Sequence, residues 1–294
     1  MTYVLAHLSD PHLSPLPAPR LSELLNKRAL GYLNWRRKRG AIHRPEALAD
    51  VVKDLKTQTF DHLAVTGDLA NIALDGEFLP ARRWLESLGS PERVTLVPGN
   101  HDAYVAEAAG RLNAEWGAYM RGDAGETFPF VRRRGPVALI GLSTAVPTPP
   151  LMATGRLGAG QLEKLADVLA GLGREGLFRI VLIHHPPASK ASRYIKRLTD
   201  GAQLRAALRK HGAELLIHGH DHVRALTSLE GPNGRIPAVG VPSASAAVAE
   251  PSRSAGYHLF EIDGKTNDWR CVLIARGLAR AGELAEIERK TLSR

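Results

Sequence analysis

Three observations make this chain an α/β protein. Short runs rich in Val, Ile and Leu recur along its 294 residues; segments of helical period separate several of them; and polar side chains able to bind a metal gather directly after the runs rather than inside them. Strands are expected over 3–8, 62–66, 93–97, 137–142, 179–183, 214–217, 236–241, 257–262 and 270–275, where β-branched and other apolar residues cluster between turn residues. Helices are expected over 45–57, with Leu48, Val51, Val52 and Leu55 on one face, over 160–172, with Leu162, Leu165, Val168 and Leu169, and over 200–211, with Leu204, Ala207 and Leu208. Pro45 suits a first helical turn and Asp200 an N-cap. Strand–helix alternation predicts a partly parallel sheet, whereas the final three strands follow so closely that antiparallel pairing is expected. Residues 264–269 read as the turn between the last two, Cys271 as core, and the charged tail 276–294 as a helix. With no repeat and only short Pro-rich loops, 1–275 reads as one domain carrying an insertion at 13–44.

Composition narrows the classes. At 44% hydrophobic and 23% charged residues the chain is a globule, neither disordered nor fibrous. One cysteine excludes a disulfide framework and a thiolate metal cluster. No apolar run is long enough to span a membrane and no charged leader precedes the first strand, so a cytoplasmic protein is expected. The net charge of +9 points to an anionic partner. It is concentrated: 27–44 holds seven basic residues (Lys27, Arg28, Arg36, Arg37, Lys38, Arg39 and Arg44) and no acid, and the remaining chain is close to neutral. Leucines and Trp35 interleave with these cations. The segment therefore reads as a solvated basic surface, a helical substrate cap, or a contact for an anionic lipid or membrane surface. Lacking aromatic–basic interleaving elsewhere, the chain gives no expectation of specific nucleic-acid binding.

The loops after the strands carry the chemistry. Asp10 and His12 follow the first, Asp68 and Asn71 the second, Asn100, His101 and Asp102 the third, His184 and His185 the strand at 179–183, and His218-Gly219-His220-Asp221-His222 the one after that. In open α/β sheets ligands bind outside the carboxyl ends of strands, so these loops can converge. Taken singly, each is an ordinary turn; five in order, each after a strand, are not. Carboxylate, amide and imidazole without thiolate are ligands for Mn, Fe, Zn or Co.

Together Asp10-x-His12, Gly67-Asp68, Gly99-Asn100-His101-Asp102, His184-His185-Pro186-Pro187 and Gly219-His220-x-His222 resemble the motif set of the calcineurin-like metallophosphoesterases. The His-His-Pro-Pro form is most similar to the bacterial cyclic nucleotide phosphodiesterase and glycerophosphodiesterase branch. The resemblance implies a four-layer αββα sandwich of two mixed sheets and a dinuclear centre. Asp10, His12 and His222 would hold one ion and Asn100, His184 and His220 the other, with Asp68 bridging, His185 and Asp102 in support, and His101 facing the substrate. Some branches have an acid three positions after the bridging Asp; here it is Asn71, which leaves open what orients His101. Two such ions generate a hydroxide nucleophile at neutral pH and clamp the phosphoryl oxygens, while a histidine titrating near neutrality assists the leaving group. The expected function is therefore hydrolysis of a small phosphodiester. The alternative is hydrolysis of a nucleotide-linked or lipid pyrophosphate or monoester held by the basic segment; a scaffold that has lost catalysis, or a nuclease, fits less well. Arg132–Arg134 and 190–197 are expected to flank the opening, with Arg193 or Lys196 on a substrate phosphate.

Overall fold

A computed structural model describes residues 2–187, 194–279 and 283–293. Twelve strands form among these residues: β1 (Tyr3–Leu8), β2 (His62–Val65), β3 (Val94–Leu96), β4 (Phe130–Arg134), β5 (Val137–Gly141), β6 (Phe178–Leu182), β7 (Leu215–His218), β8 (Ala225–Gly231), β9 (Gly234–Gly240), β10 (Gly256–Lys265), β11 (Asp268–Leu278) and β12 (Leu284–Ser293). They build two six-stranded mixed sheets, one ordered β12-β11-β10-β1-β2-β3 and the other β4-β5-β6-β7-β9-β8. The parallel strands β1–β3 and β5, β6, β7 and β9 lie in the sheet interiors and at one edge, flanked by antiparallel partners.

Side-chain alternation explains why the sheets stack. In β5, Val137 and Leu139 join Phe178, Ile180 and Leu182 of β6 in the cluster shared with the first sheet. Ala138, Ile140 and Val181 point the other way, onto α6 (Ala159–Glu175) and α7 (Gly201–His211). The first sheet's other face is covered by α3 (Pro45–Leu55), α4 (Asp75–Leu88) and α5 (Ala108–Trp116), through Leu48, Val51, Leu55, Phe78, Leu85 and Trp116. Each of these fully buried side chains contributes about 1.5–3 kcal/mol. The result is helix, sheet, sheet, helix. Pro45 stands at the start of α3 as expected. Asp200 sits at the N-cap of α7, but its carboxylate accepts Leu157 and Gly158 N–H, tying that helix to the entry of α6.

Three expectations are corrected. The tail 276–294 is not a helix: β11 continues to Leu278 and β12 pairs antiparallel with it, so the tail completes the first sheet and belongs to the domain. Its Leu and Ile recur at helical spacing, but an unpaired edge of β11 offers the backbone a full ladder. Of the final three strands expected, 236–241 is β9, which pairs parallel with β7 in the other sheet; the antiparallel set is β10–β12. The turn at 264–269 is present, a hairpin closing at Lys265↔Asp268 with Asn267 at φ 66°. Arg132–Arg134 do not flank the site. Arg132 is buried and donates to the carbonyls of Val94, Ala118 and Arg121 at the amino end of β3; Arg133 pairs with Glu175 and Arg134 with Asp123. Cys271 is core, and burial pushes its thiol up to about 12.

The insertion is built rather than loose. After a helical turn at Leu21–Leu24 come α1 (Arg28–Asn34), a π-helix (Trp35–Arg39) and α2 (Gly40–Ile42). Arg28 is buried, donating to the carbonyls of Ile72 and Ala73. Tyr32 and Trp35 pack with Tyr104 on Leu16, Ile72 and Leu74. Gly31 permits this approach, since a Cβ there would lie 2.6 Å from the Tyr104 hydroxyl.

Candidate metal centre

The loops following β1, β2, β3, β6 and β7 meet at one point. Asp10, His12, Asp68 and His222 bring one ligand atom each within 4.8 Å of one another, and His184, His185 and His220 do the same beside them. His222 Nε2 lies 3.0 Å and His12 Nε2 3.9 Å from Asp10 Oδ1. Asp68 stands between the groups, its Oδ2 3.8 Å from His12 Nε2 and 3.3 Å from His184 Nε2.

The backbone reaches this arrangement by unusual conformations. Asp10, His12, Asp68, His220 and His222 all have positive φ, at 53°, 38°, 55°, 70° and 51°. Non-glycine residues there cost of order 1 kcal/mol each and cluster where a site demands them. Close packing is also required of Gly219: a Cβ would lie 2.0 Å from Ser9 Oγ and 2.3 Å from Asp10 Oδ2.

Hydrogen bonds assign the free atoms. His12 Nδ1 lies 3.0 Å from the Ala70 carbonyl and His184 Nδ1 2.6 Å from that of Thr66; donation there turns both Nε2 atoms toward the centre. His220 Nε2 donates to the Lys196 carbonyl at 2.9 Å, so its Nδ1 lone pair faces Asn100 Oδ1 at 3.0 Å. Two acceptors in contact want a cation between them. Asp10 Oδ1 and His184 Nε2 are buried and face other groups of the site, His222 Nε2 and Asp68 Oδ2. These crowded ligand atoms, the Asn100–His220 contact and the buried carboxylates fit a metal pair. His185 differs: Nδ1 is held by the Thr144 hydroxyl and Nε2 donates to Ala153.

Electrostatics agree. Burial raises Asp68, but His184 and His101 outweigh it and hold the carboxyl well below its ordinary value. Burial opposes the charge on His184, yet Asp68 and Asp10 lift it to about 10, so the carboxylates draw positive charge onto the nearest group. Burial and Arg39 hold His12 well below 6.5, the neutral form that ligates.

The supports are specific. Asp102, fully buried, accepts N–H from Asp68, Gly99 and Ala70 at 2.8, 2.8 and 2.9 Å, locking the second and third loops together; burial and the Asp68 charge raise it to about 7. What orients His101 is a backbone group: its Nδ1 donates to the Asn71 carbonyl, its own N–H donates to Asp68 Oδ1, and its ring stacks on Tyr104. Asn71 itself donates Nδ2–H to Leu13. Instead of titrating near neutrality, His101 is lowered to about 3 by burial and Arg39.

Four residues here are not marked by the sequence motifs. Arg39, the last residue of the π-helix, points inward with Nη1 2.6 Å from His101 Nε2 and Nη2 2.8 Å from His12 Nε2. His43 is buried with its ring centroid 4.3 Å from that of His12, held by Ser245 Oγ at 2.9 Å. Glu77 accepts N–H from Asn71, Ile72 and Leu74 and so shapes the loop carrying Asn71. Tyr104 braces His101. Within the basic run, only the inward position of Arg39 separates it from its neighbours, and π-helices are enriched at functional sites. Of the expected phosphate contacts, Arg193 lies outside the described residues, and Lys196 is exposed and serves through its carbonyl.

Sandwich and site together define a dimetal phosphoesterase, and the sequence profile of the calcineurin-like phosphoesterases matches residues 3–224: the chain belongs to that family. It is 25% identical, over 275 residues covering 92% of this chain and 91% of the relative, to a "Probable cyclic nucleotide phosphodiesterase" of a Synechococcus strain. Its fold is similar to a dimetal phosphatase from Danio rerio (TM-score 0.60, 15% identity, 99% of this chain and 98% of that one). It is also similar to a purple acid phosphatase from yellow lupin seeds (TM-score 0.64, 14% identity, all of this chain and 54% of that one).

Proposed function

We propose that this protein hydrolyses small phosphodiesters, of the cyclic nucleotide or glycerophosphodiester class, at a dinuclear centre. Asp10, His12 and His222 would hold one ion, Asn100, His184 and His220 the other, with Asp68 between them. The observation that carries this is the convergence of buried ligand atoms, Asp10 Oδ1, Asp68 Oδ2, His184 Nε2, Asn100 Oδ1 and His220 Nδ1, on two adjoining points. When bound, such a pair supplies Lewis acidity and an activated water.

The chain's own groups do the rest. Thr66 and Ala70 fix the ligand tautomers, and Asp102 sets the distance between the Asp68 and Asn100 loops. Arg39 offers a planar fork of N–H donors, which matches phosphoryl oxygens. Its present partners are neutral ring nitrogens, weaker acceptors than an anionic oxygen, so an arriving phosphate takes the fork. His101 Nε2, relieved of Arg39, is then free to contact the phosphoester. Among the described residues Arg39 is the guanidinium that reaches the centre. The relative's name agrees with this substrate class.

The test is parallel kinetics with Mn²⁺ on bis-p-nitrophenyl phosphate, p-nitrophenyl phosphate and cyclic AMP, with metal content measured for wild type and Asp68→Asn. Diester turnover exceeding monoester turnover, with loss of turnover and of bound metal in the variant, is expected. Faster monoester hydrolysis would replace the diester reading; full turnover by Asp68→Asn would remove the bridging role.

A further inference from the structure

Ten large hydrophobic side chains are strongly exposed among the described residues, and seven lie on three segments at the mouth of the site: Leu21, Leu25, Leu30 and Leu33 on the insertion, Leu151, and Tyr194 with Ile195. Leu21, Leu25 and Leu151 are more than four-fifths exposed, at 85%, 86% and 83%. Scattered exposed leucines are ordinary; a cluster on one face is not.

Hydrogen bonds make the three segments one rim. Lys27 Nζ donates to the carbonyl and hydroxyl of Thr148, joining the insertion to the loop bearing Leu151. Ala153 N–H donates to Ile195 O, joining that loop to Tyr194–Lys196. The rim belongs to the site's wall, through Arg39 on His12 and His101, Ala153 on His185 and Lys196 on His220.

On α1, Arg28, Gly31 and Tyr32 face inward, leaving Leu30 and Leu33 outward, and the next turn exposes Arg36, Arg37 and Lys38. No Asp or Glu occurs in 24–45, 145–156 or 194–199. Apolar side chains projecting among cations, with Glu23 and Asp75 confined to the Leu21 end, are complementary to an anionic bilayer surface: the leucines enter the acyl boundary and the cations stay with the headgroups. A single-stranded nucleic acid would instead want stacked aromatics.

We propose that this rim docks on an anionic lipid bilayer, and that the site acts on a phosphoester borne at that surface. The docking stands on the rim alone; the choice of substrate rests on the phosphoesterase reading above.

The test is co-sedimentation of the full chain with vesicles of phosphatidylcholine alone or mixed with phosphatidylglycerol, with a duplex DNA arm at matched salt. Wild type should partition onto the anionic vesicles. Each cation near such a surface is worth about fivefold, so Arg36→Ala/Arg37→Ala/Lys38→Ala should lose about a hundredfold. Leu25→Ser/Leu30→Ser/Leu33→Ser should lose about tenfold and, unlike the charge variant, keep its deficit at high salt. Both variants should hydrolyse soluble bis-p-nitrophenyl phosphate at the wild-type rate, which also shows that they are folded. Absence of wild-type partitioning, equal partitioning of the variants, or DNA binding without vesicle binding would overturn the docking. Vesicle binding by a protein inactive on every phosphoester would leave docking standing and remove the function proposed above.

Discussion

Replacing Arg39 by Ala isolates the contribution of the insertion to catalysis. The guanidinium is enclosed among His12, His101 and Tyr104, near the charges of Asp10 and Asp68, with two nitrogens at 2.6 and 2.8 Å from ring acceptors. Charge-assisted hydrogen bonds are worth about 1.5–3 kcal/mol each when shielded from water. If the fork is retained on two phosphoryl oxygens and strengthens as charge develops, about 3 kcal/mol of transition-state stabilisation disappears with it, or roughly two orders of magnitude in kcat/KM. Arg39→Lys keeps the charge without the planar fork and should recover part of the loss. The assay is kcat/KM on bis-p-nitrophenyl phosphate together with metal stoichiometry, which neither variant should lower, because Arg39 lends no ligand atom. An Arg39→Ala enzyme with full metal and wild-type kcat/KM would refute the reasoning and return Arg39 to the surface charge of its neighbours.

The remaining predictions concern the frame. Gly219→Ala drives a methyl into Ser9 and Asp10, so it should destabilise the fold by about 1–3 kcal/mol and weaken metal retention, read by thermal melting and metal analysis. Glu77→Ala strips the acceptor from three backbone amides and should cost about 3 kcal/mol, measured as a shifted urea midpoint. Asp54 accepts from Arg276 and Tyr257. Burial raises its pKa, but these bonds outweigh burial and leave it below 3.8. Its stabilisation is therefore complete above that unfolded value and is lost as pH falls through the folded one; Asp54→Asn should be clearly less stable than wild type at pH 7, with the gap narrowing as pH falls below 3.8.

The residues that converge at the site were legible because metal chemistry dictates residue types and the fold dictates that they follow strands. Each occupies a turn where the chain must bend sharply, so Asp-Pro-His and His-Gly-His-Asp-His stand out from their surroundings. Strands buried on both faces, such as β5, β6 and β7, were legible for the same kind of local reason: their apolar runs are uninterrupted. What escaped depends on distant partners. Strands β4, β8 and β12 are sheet edges whose charged, half-exposed residues carry no strand signal of their own; β8 has three consecutive exposed residues. Helix α4 holds Pro80 in its interior, which masks its periodicity. Arg39 and His43 escaped because the four consecutive cations at 36–39 look alike until Tyr32 and Trp35 fix which way the helix faces. What orients His101, left open by the Asn at position 71, is the Asn71 carbonyl, and a backbone contact leaves no trace in residue identity.

The strand order of the first sheet also bears on how the protein is made. β1 is hydrogen-bonded on one side by β2 and on the other by β10, with Leu5 opposite Phe260. A chain still emerging from the ribosome therefore carries its first strand, the one leading to Asp10 and His12, with an open apolar edge until nearly all of the sequence is available. The second sheet, from β4 through β9, is contiguous and can close earlier. Any product ending before β10 would retain every candidate ligand yet present that edge to solvent, where it is a template for aggregation. Synthesis thus has to reach the far end of the chain before the residues that its beginning supplies can be held in place.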